Sequence, residues 1–95
     1  MRRITIKDLD AVCARLNRVT DSPLEPYVQD STGRYTAQVG NYHISRAYGG
    51  FCLHRMVNDG GGVSSPLSSG HIPARELYER MHAYLKGFED AREAA

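Results

Sequence analysis

The hydrophobic positions change period along the chain. Near the start they recur with helical spacing, at Leu9, Val12, Cys13 and Leu16, which predicts a helix from about Ile6 to Arg18. Thr5 stands where an N-cap belongs, Asp8 follows three residues later, and Ile4 and Leu9 bracket the cap as a hydrophobic staple would. Thr20-Asp21-Ser22-Pro23 ends the helix. Pro23 and Pro26 make the next stretch extended, with a short edge strand at Tyr27–Val28 and a turn at Asp30–Gly33.

From Tyr35 onward the period is two. Tyr35 to Val39, Tyr42 to Tyr48 and Phe51 to Val57 read as antiparallel strands. Gly49-Gly50 reads as a two-residue hairpin turn, pairing Tyr48 with Phe51 and Ile44 with Arg55. Gly40 is either a turn with Asn41 or a bulge in one long bent strand. The alternation places Val39, Tyr42, Ile44, Leu53 and Val57 on a face turned to the helices. Arg46 and Arg55 share that face, with packed stems and heads in water. His43, Ser45, Cys52, His54 and Met56 fall on the opposite face, open to solvent or to a partner.

Residues 58–71 are rich in glycine and serine and read as a long mobile loop. The last helix begins near Pro73. Leu77, Met81, Tyr84, Leu85 and Phe88 form its apolar stripe, and fraying is expected from about Glu89. The fold class is therefore α+β in the order α-β-β-β-α. A three-stranded antiparallel sheet, or a four-stranded one, carries both helices on one face. At 95 residues the chain reads as a single domain.

Composition narrows the function classes. No apolar run reaches membrane-spanning length, and the basic start lacks the apolar stretch of a signal peptide. Cys13 and Cys52 read as reduced thiols of a cytoplasmic protein. The formal charge is +1, with a mild basic excess in residues 1–57. Arg2, Arg3, Lys7, Arg15, Arg18 and Arg34 are the candidate nucleic-acid contacts on that side.

Catalytic chemistry finds little support. Gly60-Gly61-Gly62 lacks the lysine of a phosphate loop. The loop serines have no nucleophile elbow. His43, Cys52 and His54 are the set from which a zinc site would have to be built, but a structural site wants four ligands and a catalytic one three. No catalytic residue, metal or cofactor is assigned, and a metal-binding or catalytic site on the open sheet face, built from His43, Cys52 and His54, stands as an alternative. Binding remains, through the second sheet face and through loop contacts at Gly60, Gly61, Gly62, Val63 and Leu67.

The runs Val39-Gly40-Asn41-Tyr42-His43-Ile44, Ala47-Tyr48-Gly49-Gly50-Phe51 and Met56 to Val63, with the closing Ala74 to Arg80, resemble a group of small phage and prophage proteins. That resemblance implies a non-enzymatic accessory protein in the bacterial cytoplasm and carries no residue roles. The expected partner is another protein or a second copy of the chain. The element order also resembles double-stranded RNA-binding domains, which implies an alternative role in nucleic-acid binding. Those domains carry several lysines where this chain has Pro73-Ala74-Arg75-Glu76.

Overall fold

The computed structural model describes residues 3–94. Helix α1 spans Ile6–Val19. The Thr5 hydroxyl accepts the Asp8 N–H, and the Asp8 carboxylate accepts the Thr5 N–H at 2.8 Å. This capping box satisfies donors that the first helical turn would otherwise leave bare. Leu9, Val12, Cys13, Leu16 and Asn17 form the buried stripe. At the other end the Thr20 hydroxyl donates to the Leu16 carbonyl, and Asp21 turns the chain with φ of 56°.

Five strands follow: β1 (Tyr27–Gln29), β2 (Tyr35–Ala37), β3 (Tyr42–Ala47), β4 (Gly50–Met56) and β5 (Val63–Ser64). Helix α2 closes the order at Ala74–Ala94. The fold is α+β, with both helices against one face of a three-stranded antiparallel sheet ordered β3-β4-β5. Strands β1 and β2 pair only with each other, as a separate two-stranded arm.

This arrangement corrects three expectations. The strand predicted at Tyr35 to Val39 ends at Ala37 and does not join the main sheet. Gly40, at φ of 95°, marks a turn and not a bulge, but the turn spans Gln38 to Asn41 and joins the arm to β3 instead of closing a hairpin of two paired strands. The third strand of the sheet instead comes from Val63–Ser64, inside the stretch expected to be loop.

The β3–β4 turn is also displaced by one residue. Its central positions are Tyr48 and Gly49, with φ of 54° and 74°. Ala47 pairs with Gly50, Ile44 with Leu53 and Tyr42 with Arg55. The physical reason lies in Gly50. A Cβ there would stand 3.0 Å from the Ile72 carbonyl oxygen and 3.1 Å from its nitrogen. Gly50 is held in the strand by a close backbone neighbour, so the turn takes Tyr48 into the left-handed region at a cost of roughly 1–2 kcal/mol.

The core lies between the sheet and the helices. Leu9, Val12, Cys13 and Leu16 of α1 meet Tyr42 and Leu53 of the sheet and Leu77, Met81 and Leu85 of α2. Ile44 and Phe51 pack at its margin. Val39 and Val57, expected in this core, are about half exposed because they lie beyond the ends of the paired strands. Arg46 and Arg55 place their guanidinium groups 5.7 and 5.5 Å from the Phe51 and Tyr42 ring centres. Helix α2 continues through the stretch expected to fray. Glu89 pairs with Arg15 at 2.8 Å, and Arg92 donates to the Val19 carbonyl.

One buried polar group fixes the start of β3. The Asn17 side chain accepts the Tyr42 N–H at 2.8 Å and donates to the Tyr42 carbonyl at 2.9 Å. The Cys13 thiol donates to the same carbonyl at 3.2 Å. Asn17 thus behaves like one residue of a neighbouring strand, satisfying main-chain groups that have no other place in the ladder.

Two consequences are measurable by urea denaturation. Thr5→Ala removes the cap and lowers stability by roughly 0.5–2 kcal/mol. Asn17→Ala strands the buried Tyr42 N–H and costs roughly 1–3 kcal/mol, before any loss of packing. An unchanged midpoint in either variant contradicts the corresponding assignment.

Candidate functional site

The second face of the sheet gathers three histidines. His43 of β3 lies directly opposite His54 of β4, and their rings meet edge-to-face with centres 5.6 Å apart. His71, from the connection between β5 and α2, adds a third ring 6.2 Å from His54. The Tyr48 ring, almost wholly exposed, stands edge-on to His71 with centres 6.0 Å apart. The row therefore runs His43, His54, His71, then Tyr48.

Each end of the row is anchored. The buried Asn41 side chain donates to the Pro23 carbonyl at 2.8 Å, and its oxygen lies 3.1 Å from His43 Nδ1. The Ser45 hydroxyl lies 2.9 Å from His71 Nε2. His71 reaches this position because Ile72 and Phe51 exchange two backbone hydrogen bonds, both 2.8 Å. Burial, and then the neighbouring imidazole, hold His43 and His54 below the ordinary imidazole range. A neutral imidazole keeps one lone pair free, so the row can accept a proton.

Ser68 and His71 of the same connection lie over part of the face predicted to be open. Cys52 and Met56 are buried, at 1% and 2% exposure. The Cys52 Sγ lies 3.7 Å from the Ser68 hydroxyl. His43, Ser45 and His54 are half-buried. Alternation had assigned these five residues to one face correctly, but it carries no information about a segment folded over that face. Among the described residues no group of three His, Cys, Asp or Glu side chains is placed to hold a metal ion.

The loop residues are structured rather than free. The Asn58 side chain accepts the N–H groups of Gly60 and Gly62 at 3.0 and 2.9 Å. Gly61 has φ of 95°, and a Cβ there would meet the Tyr27 hydroxyl at 3.2 Å. Val63 belongs to β5, and Leu67 packs against the core while its carbonyl accepts from Arg80.

Among the described residues, the candidate basic side chains are spread over α1, its N-terminal approach and the β1–β2 turn. Arg2 lies outside the described residues. Arg3, Lys7 and Arg18 are exposed at or along α1, and Arg15 is paired with Glu89. Arg34 belongs to the β1–β2 turn, where its N–H donates to Asp30.

The arm offers a different kind of surface. Tyr27, Val28 and Tyr35 are 48%, 50% and 66% exposed. Val39, Val57 and Val63, exposed near its base, extend the apolar area. The radius of gyration, 14.0 Å, exceeds the value of about 12 Å for a compact domain of this length.

Asn17, Asn41 and His71 were not singled out by sequence. Asn17 falls on the buried stripe four residues after Cys13, and that phase was the available signal. His71 follows a glycine-serine run, and nothing local marks it. No protein-family model matches the chain, and neither curated proteins nor solved structures give a significant match.

The histidine row sets a pH dependence. Both His43 and His54 are shifted down on folding, so below the unfolded value of about 6.5 the unfolded chain binds more protons. Their stabilising contribution is complete above that pH and is lost as pH falls through the lower folded values. Asp30, held below its ordinary 3.8 first by the Thr32 hydroxyl, loses its contribution only in stronger acid. Denaturation midpoints measured from neutral to mildly acidic pH should therefore decline below about 6.5, and a flat profile contradicts the assignment.

Proposed function

We propose that this chain works by binding protein, as an accessory protein of a phage or prophage in the bacterial cytoplasm, and that the β1–β2 arm is its docking element. The observation that carries the reading is the exposure of the arm's side chains on a two-stranded sheet with no third strand. An isolated hairpin of this length is marginal in water, and adding a strand stabilises it. The phage or prophage setting is carried by the sequence resemblance and not by the arm.

The backbone pattern supports strand addition in detail. Gln38 donates to the Pro26 carbonyl, and Asp30 donates to the Arg34 carbonyl. Antiparallel pairs alternate, so Tyr27 and Gln29 turn their main-chain groups away from β2. Neither strand carries a charge, although charge is the common means of blocking an open edge.

The occupant is a second copy of the chain. Two β1 strands related by a two-fold axis through Val28 would bring Tyr27 of each opposite Gln29 of the other. Such contacts are self-complementary and closed. Light scattering and sedimentation across a concentration series should show a dimer. Val28→Lys with Tyr35→Lys should shift it to monomer by at least about tenfold in dissociation constant, with circular dichroism unchanged. A wild-type protein that stays monomeric throughout, or a dimer untouched by the paired lysines, overturns the assignment of the arm.

A further inference from the structure

We propose that the imidazole row His43–His54–His71 is a proton-sensitive latch that holds residues 65–71 over the second face of the sheet and releases them when the row becomes charged. The inference does not depend on the arm. It rests on a mismatch in the ladder beside β4. Ser64 pairs with Arg55, and Ile72 pairs with Phe51. Between these fixed points, residues 65–71 lie opposite only residues 52–54. The longer side cannot follow the strand, so side chains must hold it.

Those side-chain ties are few. Leu67 packs against the core, Ser68 reaches Cys52, His71 reaches Ser45, and the His71 ring stands edge-on to His54 and to the exposed Tyr48 ring. On the far side, Arg80 holds the Leu67 carbonyl at 2.6 Å while also pairing with Glu76. Apart from His71, residues 65–71 contain no ionisable side chain.

The three rings differ in freedom to move. His43 and His54 sit opposite each other within a continuous run of six paired positions. Their backbones cannot separate without breaking β3 from β4. His71 lies on the irregular connection, so repulsion between charged rings is relieved most readily by its departure. Like charges about 6 Å apart still interact appreciably at a protein surface.

The surrounding groups do not neutralise such charge. Among the described residues, no carboxylate forms an ion pair with any of the three rings. Asp10 of α1 and Glu25 of the following connection line a cleft of about 430 Å³ with His43. Yet His43 remains shifted down, by burial and by His54. Toward His71 the facing groups are the Tyr48 ring, the Ser45 hydroxyl and His54. Toward Ser68 it is the Cys52 thiol.

Hydrogen exchange on the full chain tests the latch. Rates are divided by the intrinsic rate at each pH, so that only protection is compared. Between about pH 7.5 and about pH 5, which brackets the ordinary imidazole value, protection within residues 65–72 should fall by about tenfold or more. The amides of β3 and α1 should keep theirs. His71→Gln should remove the pH response of the segment. Equal protection at both pH values overturns the latch, as does loss spread evenly over the chain or a response that survives in His71→Gln. Should that variant fail to fold, proton NMR titration of the wild-type imidazoles decides. Coupled titrations, with His54 below the ordinary value, support the latch, and three independent ordinary titrations overturn it.

Discussion

The contact between the Asn17 side chain and the Tyr42 main chain anchors the rest of the structure. It ties the last turn of α1 to the first residue of β3, at the point where the chain leaves the arm. Because strand side chains alternate, placing Tyr42 toward the helices sends His43 to the other side. Ile44 then faces the core, and β4 inherits the same parity through its pairing. The amide also occupies main-chain groups at the free edge of β3, where a foreign strand could otherwise attach.

This dependence explains what could be read from sequence. The start of α1 was legible because a cap is local: Thr5, Asp8 and the staple residues lie within six positions. The two sheet faces were legible because period-two alternation survives a change of turn. Moving the turn from Gly49-Gly50 to Tyr48-Gly49 shifts the cross-strand register by two residues. Residues 42, 44, 51 and 53 therefore stay on one side even though every predicted partner was wrong.

The missed features are non-local. Nothing near Tyr35 states that its strand will pair with Tyr27–Gln29 and turn away from the main sheet. The polar composition of residues 58–71 describes a surface segment accurately. It does not disclose that Val63–Ser64 pairs with β4, or that Ser68 and His71 lie over Cys52 and Ser45. For the candidate site, two of its three histidines were assigned to a face by alternation. The third depends on the Phe51–Ile72 bridge, which forms only after the chain has folded back.

Gly49 and Gly50 are adjacent and chemically identical, yet they answer to different demands. Gly49 has φ of 74° and open space where a side chain would project, so its constraint is torsional. Asparagine, which tolerates that region, is the natural replacement there. Gly50 has no such torsion, but a methyl group there would stand 3.0–3.2 Å from the backbone of residues 71 and 72, closer than side chains ordinarily come. Even alanine at Gly50 must push that backbone outward, and with it the neighbouring His71. Across diverging relatives, position 49 should drift between glycine and asparagine while position 50 should favour glycine for a different reason. A pattern that looks like one conserved turn would then record two independent selections, one for chain direction and one for the closeness of two backbones.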